Sequence, residues 1–237
     1  MLPHKLTLCL LVFVIPTSIF AQQRKAPAGG RLAIVVDERL AALRASPQLN
    51  GRLVRRLSRG RLLAVRSMKT SADGISFFLV NVSSRTHGWI QREAVVSPSR
   101  PGDDQRLFTL IEHSQGFDRI TRTRIFLDHF PRSRLRPAVL LLLGNTAEEL
   151  AAKISADAAR RLKEDPGDAP EFSYFLNYTG LDRYNRQGIT FVFNQSTKRF
   201  HYDGASWREL IRRYPHSLFA TEAKIKLDSL YSQLRIK

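Results

Sequence analysis

The side chains that could do chemistry in this 237-residue chain are few and scattered. A zinc hydrolase needs ligands at helical or strand spacing, such as His-Glu-x-x-His, and no histidine in the sequence has such a partner. Glu112 precedes His113 and Asp128 precedes His129, and adjacent residues point to different faces of a helix. The sequence therefore predicts no catalytic set, no metal site and no cofactor.

Two acidic pairs have a simpler interpretation than paired-carboxylate catalysis. Asp103-Asp104 and Glu148-Glu149 are each expected near the start of a helix, where carboxylates interact favourably with the helix dipole. We therefore assign both pairs to helix capping. Gly180 and Gly188 are isolated, and so no phosphate-binding glycine loop is predicted.

Arginine dominates the charge of the chain, which has a formal net charge of +17. The segment 52–66 contains no acidic residue and six arginines: Arg52, Arg55, Arg56, Arg59, Arg61 and Arg66. Such a field favours polyanions, whereas most charge runs are simply solvated surface. Both interpretations are kept: an anionic polymer or lipid surface as partner, or a solvated face with no binding role.

Residues 1–21 are predicted to be a secretory signal peptide. The apolar run 6–15 follows a lysine, ends at Pro16, and is too short to span a membrane as a helix. Ala21 offers a small residue at the cleavage site. Cleavage removes the single cysteine, Cys9, which excludes a cysteine peptidase and any disulfide. We expect an exported bacterial protein, periplasmic or extracellular, with no transmembrane segment after cleavage and no nucleic-acid partner.

Residues 31–97 are predicted to form a small β domain, preceded by a linker over 22–30 and followed by one over 98–105. Short apolar or alternating segments predict strands at 32–36, 53–57, 62–65, 75–82 and 86–96. Gly60 marks a turn between two of them, and Gly88 is expected to let the chain turn tightly before Trp89.

The order of these residues is similar to that of the bacterial SH3-like (SH3b) domain. That family opens with Leu-x-Val-Arg-x-Gly-Pro, which corresponds to 42–47 (Ala-Leu-Arg-Ala-Ser-Pro), and closes with a Gly-Trp-Val hairpin, which corresponds to 88–90. Ser46 stands at the family's glycine, and Phe77 or Phe78 stands where tryptophan is common. The resemblance implies a small β-barrel that binds cell wall or a protein and does no chemistry.

Two groups of residues are candidates for ligand binding in this domain. The aromatic candidates are Phe78 and Trp89, and the basic candidates are Arg44, Arg52, Arg55 and Arg56. Buried aromatic rings dominate small barrels. Trp89 is therefore expected first to be the packing anchor of the barrel and second to contact a ligand.

From residue 106 onward the apolar spacing changes from two to about 3.6, which predicts an α-helical domain over 106–237. Pro131 and Pro215 are predicted to end helices. Thr146 with Glu149, and Ser206 with Glu209, form capping-box signatures that predict two helix starts. The segments 189–194 and 198–202 are candidates for a β-hairpin.

An internal echo links two parts of this helical region. Residues 125–133 match residues 209–217, 84 positions later, and each copy is a helix followed by an aromatic-Pro-x-Ser corner and a second helix. The corner resembles that of tetratricopeptide (TPR)-like repeats in envelope proteins, although the usual 34-residue period is absent. The resemblance implies degenerate helical repeats with a protein-binding groove; a plain helical domain is the alternative.

The fold expected overall is α+β and multidomain, with an SH3-like β-barrel followed by an α-helical, TPR-like domain. The function expected is that of a non-enzymatic adaptor of the bacterial cell envelope, whose partner is peptidoglycan or an envelope protein. Two alternatives are kept: an accessory or degenerate component of a cell-wall hydrolase system, and a protein that binds anionic lipid or polymer.

Overall fold

An antiparallel sheet comes first in the chain and a set of helices follows it. The computed structural model describes residues 27–165, 167–177 and 180–235. The predicted signal peptide, and residues 22–26 of the predicted linker, lie outside the described residues. Within the described part the fold is mixed α and β, as predicted, with a seven-stranded sheet, a separate two-stranded hairpin and seven helices.

The sheet has the strand order β3-β2-β6-β5-β4-β1-β7, and each neighbouring pair is antiparallel. Its strands are β1 (Arg31–Val35), β2 (Ala42–Arg44), β3 (Leu53–Arg56), β4 (Leu62–Thr70), β5 (Ser76–Asn81), β6 (His87–Gln91) and β7 (Val95–Val96). A 3₁₀ turn at Arg92–Ala94 separates the last two strands. No ladder among the described residues joins β7 to β3, and so we find no closed barrel.

Alternation of side chains fixes the register of β5 and β6. Phe78, Val80 and Ile90 are buried in one apolar cluster, and Phe78 lies opposite Ile90. Gly88 is a position inside β6, opposite Val80, and not a turn residue. A Cβ atom there would lie 2.7 Å from the carbonyl oxygen of Arg44. The expectation of a tight turn at Gly88 is therefore wrong: the glycine lets β6 approach β2.

Seven helices and one hairpin make up the rest of the described chain. The helices are α1 (Asp103–Glu112), α2 (Gly116–His129), α3 (Arg136–Glu164), α4 (Glu171–Asn177), α5 (Leu181–Asn185), α6 (Ala205–Arg213) and α7 (Leu218–Arg235). Strands β8 (Phe191–Asn194) and β9 (Arg199–Tyr202) pair in the hairpin, as predicted. The ends of α2 and α6, just before Pro131 and Pro215, are confirmed.

The capping predictions are wrong in two places. Thr146 lies inside the single 29-residue helix α3, where its buried hydroxyl accepts a hydrogen bond from Arg119 at 3.3 Å. Glu148 and Glu149 consequently lie in the middle of a helix, far from its N-terminus. Ser206 follows Ala205, the first residue of α6, and it is Gly204, with φ near +80°, that precedes the helix. The predicted start of α6 is thus right to within one residue although Ser206 is not its cap, whereas α3 continues through Thr146 without a break.

The expectation for the first acidic pair is confirmed in position, since Asp103 and Asp104 both lie in the first turn of α1, but the Asp103 side chain binds the preceding loop. Its Oδ2 accepts a hydrogen bond from the backbone N–H of Ser97 at 2.7 Å, and its Oδ1 pairs with Arg100 at 2.6 Å. Asp104, which follows it, accepts a hydrogen bond from the Ser133 hydroxyl at 2.7 Å. Asp103 therefore holds the preceding loop, whereas Asp104 also accepts the Gln105 backbone N–H in the first turn of the helix through Oδ1 at 2.9 Å, where the helix dipole favours a carboxylate.

One of three apolar clusters crosses from the sheet to the helices. It joins residues of β1 and β7 to α1, α2 and α3; the members include Ile34, Val36, Val96, Leu107, Ile111, Phe126 and Phe130. Helix α1 begins at Asp103, within the segment 98–105 that was predicted to be a linker. The division at this point stays a prediction, but the two regions share apolar core across it.

Candidate functional site

A row of four side chains crosses one side of the sheet, over strands β5, β6, β2 and β3. Leu79 lies opposite Trp89, Trp89 opposite Arg44, and Arg44 opposite Leu53. Residues directly opposite each other on neighbouring strands share a face and lie in contact distance. All four side chains are half-buried or exposed. The structure thus brings two predicted ligand-binding residues, Trp89 and Arg44, next to each other; we call these four residues the Trp89 row.

Trp89 is not the packing anchor of the sheet, contrary to expectation. It contributes to none of the three apolar clusters found in the described residues, whereas its neighbour Ile90 is fully buried in one of them. Alternation along β6 explains this, because successive side chains point to opposite faces of a sheet. The residue that occupies the core is Ile90, and the indole of Trp89 remains half-buried on the other side.

The Arg44 guanidinium has a fixed position in the row. Its Nη1 donates a hydrogen bond of 2.8 Å to the carbonyl oxygen of Gly51, in the loop between β2 and β3. This leaves other N–H groups of the guanidinium available for a ligand, since arginine carries five donors. An arginine placed this way can pair with a carboxylate while the ring next to it contacts an apolar or sugar face.

The remaining basic candidates lie at the edge of the sheet. Arg55 and Arg56 belong to β3, an end strand, and Arg52 directly precedes it; all three are exposed and have no carboxylate partner among the described residues. Two other arginines of the same run are structural. Arg59 pairs with Asp118, and Arg61 donates to the carbonyl oxygen of Val82 at 3.1 Å. The basic run 52–66 thus contains two kinds of arginine: exposed ones without a carboxylate partner at the edge of the sheet, and others whose guanidiniums make contacts within the fold.

Phe78 is separated from Trp89 by the sheet itself. It faces the apolar cluster side, opposite Ile90 and Met68, and is only 8% exposed. The exposed part of its surroundings is a cleft of about 320 Å³ between β4, β5 and the loop 97–101. The cleft is lined by Arg31, Val65, Met68, Phe78, Arg92, Ser97, Ser99, Arg100 and Pro101. We call it the Phe78 cleft.

Arg31, Arg92 and Arg100 were not predicted as site residues. They come from β1, the 3₁₀ turn and the loop 97–101, and no spacing in the sequence indicates that they meet. The sequence contains one local indication of this site. Arg100 and Asp103 are three residues apart at the start of a helix, which places the guanidinium within ion-pairing distance of the carboxylate. Asp103 also pairs with Arg106, whose pKa burial lowers from its ordinary value.

The scattered histidines and acids have structural partners. His113 Nδ1 lies 2.8 Å from the Thr109 carbonyl oxygen, one turn earlier in α1. Burial lowers the pKa of the His129 imidazole, an effect that the neighbouring Asp128 opposes. Glu148 contacts the hairpin: one oxygen lies 3.1 Å from His201 Nδ1 and the other accepts the Tyr202 backbone N–H at 2.7 Å.

Among the described residues, no group of three or more histidine, cysteine, aspartate or glutamate side chains is arranged to hold a metal ion. No helix within residues 27–165, 167–177 and 180–235 combines the length and the apolar character of a membrane span.

Comparison of the chain with known proteins gives no match: no family model, no curated protein and no solved structure is similar to it at a significant level. A function for this chain therefore has to be argued from its own residues and contacts.

Proposed function

We propose that this chain is a non-enzymatic, exported binding protein of the bacterial cell envelope, with an SH3-like domain over 31–97 that binds peptidoglycan. One observation carries the proposal: in the Trp89 row, Trp89 and Arg44 lie directly opposite each other on neighbouring strands, next to an edge strand with unpaired arginines. The matching order of the strands supports the SH3-like interpretation, since 42–47 includes β2, 77–82 lies largely in β5 and 88–90 lies in β6.

The chemistry of the row suits a polymer of sugars and short acidic peptides. A flat indole offers a large apolar surface for the face of a sugar ring, and its N–H is a hydrogen-bond donor. Arg44 is placed to pair with a carboxylate of the peptide stem, and Arg52, Arg55 and Arg56 add positive charge along the same edge. Peptidoglycan carries both groups in a repeating array.

The helical region supports a second role in binding a protein. Helices α2 and α3 pack against each other as one unit and α6 and α7 as another, and α3 packs against both α2 and α6. Arg136 connects the two units: its Nη1 donates to the Leu127 carbonyl oxygen at 2.7 Å and its Nε to the Tyr214 hydroxyl at 3.2 Å. Helices α4 and α5 and the hairpin are inserted between the units. This insertion accounts for the long offset between the two aromatic-Pro corners and supports the degenerate TPR-like interpretation.

The binding of peptidoglycan is tested by sedimentation with purified, insoluble sacculi, using the chain from Gln22 to Lys237. We expect the protein to sediment with sacculi, and the triple variant Arg52→Gln, Arg55→Gln, Arg56→Gln to be retained at least fivefold less. The matched control removes the same charge elsewhere, at the exposed residues Arg134, Arg186 and Arg212. Equal loss in both triple variants, or no retention of the parent chain, contradicts the proposal.

Anionic lipid is the second candidate, favoured by the unpaired arginines of β3. Vesicles containing phosphatidylglycerol distinguish it from peptidoglycan. If the β3 triple variant loses vesicle binding while sacculus binding is unchanged, the edge strand serves a lipid surface. Binding of this kind falls steeply with added salt, because exposed charges are screened over about 8 Å at physiological ionic strength.

Participation in cell-wall hydrolysis is tested separately. Zymography on peptidoglycan gels is expected to show no clearing by the chain alone. A clearing zone that disappears on substitution of one acidic residue or histidine would overturn the non-enzymatic assignment.

A further inference from the structure

We propose that the Phe78 cleft is a second binding site, for a small oxyanion attached to an apolar group, such as a carboxylate at the end of an acyl chain or of a peptide with an apolar last residue. The cleft lies on the opposite side of the sheet from the Trp89 row, and so this site is independent of the peptidoglycan surface proposed above.

The floor of the cleft is apolar and is formed in part by residues of the core. Phe78 and Val65 are buried in the core cluster and present one side of their chains to the cleft. Met68 lies opposite Phe78 in the next strand and is 57% exposed, which is high for a methionine. A register irregularity between Val65 and Ser67 interrupts the pairing of β4 with β5 just before Met68. Bulges of this kind are common next to sites, where they redirect a side chain.

The rim of the cleft is uniformly basic. Arg31, Arg92 and Arg100 line it together with Ser97 and Ser99, and no acidic side chain is among the lining residues. Arg31 and Arg92 are exposed, and neither forms an ion pair within the described part of the chain. The charge of Arg100 is balanced by Asp103, and so the net positive charge around the apolar floor comes from Arg31 and Arg92. This arrangement selects for an anion, and the floor selects for an apolar body behind it.

The Arg100 guanidinium is held in place by Asp103, yet one of its N–H groups has no hydrogen-bond partner among the described residues. Its Nε and Nη2 both donate to Asp103 Oδ1, at 2.8 and 2.6 Å, and its guanidinium lies 5.5 Å from the centre of the Phe78 ring. Its Nη1 is buried and has no hydrogen-bond partner among the described residues. A buried donor without a partner is costly, which leaves this guanidinium with unused hydrogen-bonding capacity next to the cleft.

Asp103 keeps this geometry in place before any ligand arrives. Its second oxygen accepts the backbone N–H of Ser97, so that the loop 97–101 and the guanidinium are held by one buried carboxylate. The Ser97 hydroxyl in turn donates to the Leu32 carbonyl oxygen at 2.6 Å. Binding to such a preorganised site requires little ordering of side chains. The cleft volume, about 320 Å³, falls at the small end of ligand pockets, which run from roughly 300 to 1,000 Å³.

The test is calorimetric titration of the chain from Gln22 to Lys237 with pairs of probes that differ only in charge. Decanoate with decanol probes an acyl source, and N-acetylphenylalanine with N-acetylphenylalanine amide probes a peptide terminus. Acetate probes the charge without an apolar body. We expect one of the two carboxylates to bind at least tenfold more tightly than its neutral partner and than acetate.

Two sets of variants assign this binding to the cleft. Arg100→Gln is expected to weaken it at least tenfold, and the double variant Arg31→Gln, Arg92→Gln, which leaves Asp103 and its partners intact, at least fivefold. Arg85→Gln, an exposed arginine in the turn between β5 and β6, is the matched control and is expected to change nothing. If both carboxylates bind no better than acetate, or if the double variant binds as the parent does, the proposal is wrong. Sedimentation with sacculi should be unaffected by these substitutions.

Discussion

Arg59 and Asp118 form a two-point ion pair that joins the sheet to the helices. Arg59 Nη1 lies 2.8 Å from Asp118 Oδ1 and Nη2 lies 3.2 Å from Oδ2, while Nη1 also donates to the Thr121 hydroxyl at 2.9 Å. Arg59 belongs to the turn between β3 and β4, and Asp118 to the first turn of α2. An arginine from the basic run 52–66 therefore contributes to the assembly of the fold and is unavailable to a polyanion.

Replacing Asp118 with asparagine should lower stability in a pH-dependent way. The hydrogen bonds from Arg59 hold the pKa of the Asp118 carboxyl below its ordinary value of 3.8, and so the pair stabilises the fold when the carboxyl is ionised in both states. Asp118 is 58% exposed, and solvent screening limits the effect to roughly 0.5–1 kcal/mol. We expect urea unfolding to show this difference at pH 7 and to show it shrink below about pH 4, as the pH falls towards the pKa of the folded state.

Asp73→Asn is the matched control for this measurement, because Asp73 is exposed in the turn between β4 and β5. It should leave the free energy of unfolding unchanged at both pH values. A deficit of Asp118→Asn that persists undiminished at pH 3 would show that the ion pair is not its cause.

Substitutions at two neighbouring residues of β6 should separate core from surface. Ile90→Ala removes a fully buried side chain and is expected to cost about 3 kcal/mol of unfolding free energy. Trp89→Ala removes a larger side chain that lies outside the clusters, and is expected to cost only about 1 kcal/mol while abolishing sedimentation with sacculi. Chemical denaturation measures both free energies of unfolding. A larger decrease for Trp89→Ala than for Ile90→Ala would show that the indole is part of the core.

Helix α3 approaches α6 closely at Gly144, and we therefore expect an alanine there to lower the stability of the protein and not to raise it. A Cβ atom on Gly144 would lie 2.2 Å from Trp207 Nε1, in a region where the indole is almost fully buried. Gly144→Ala would ordinarily stabilise a helix by up to about 1 kcal/mol. Here we expect it to destabilise the protein by about 1–3 kcal/mol, because the indole has no space to move.

The control for the Gly144→Ala prediction is the double variant Gly144→Ala, Trp207→Phe, studied by thermal and chemical unfolding. Trp207→Phe shortens the ring, so that adding Gly144→Ala to it should cost clearly less than adding Gly144→Ala to the parent chain. Additive effects of the two substitutions would mean that the indole and the glycine do not limit each other.

Local signals in the sequence predict the elements well and their contacts poorly. Apolar and alternating segments predict β1, β3, β5 and the first part of β4, and Pro131 and Pro215 predict the ends of α2 and α6, because these effects act within a few residues. The three-residue strand β2 is not predicted, and the strand expected over 86–96 is divided into β6 and β7 by the 3₁₀ turn. Thr146 has the signature of a helix start, yet it lies in the middle of α3. The leucine-rich turns on both sides of it bury against other elements, and that burial outweighs the signature.

The same distinction separates the two sites. Trp89 and Arg44 can be predicted as candidates because each matches a position of the SH3-like pattern. The register of β2 and β6 then places them opposite each other. Arg31 and Arg92 match no pattern, and only the folding of β1 beside the 3₁₀ turn brings them to Phe78. Sites assembled from distant loops depend on long-range contacts, which no spacing in the sequence indicates.

The hairpin β8–β9 is attached to α3 by side chains that accept backbone hydrogen bonds, and this attachment can be measured. Glu148 Oε2 accepts the Tyr202 N–H at 2.7 Å, and the Ser155 hydroxyl accepts the Phe200 N–H at 2.8 Å. Glu148→Leu keeps helix propensity but removes the acceptor. We expect amide exchange at Tyr202 to become about tenfold faster, which corresponds to roughly 1.4 kcal/mol of local opening. Glu149→Leu, at an exposed neighbour, should leave that rate unchanged, and equal rates in both variants would show that the Glu148 hydrogen bond does not hold β9 to α3.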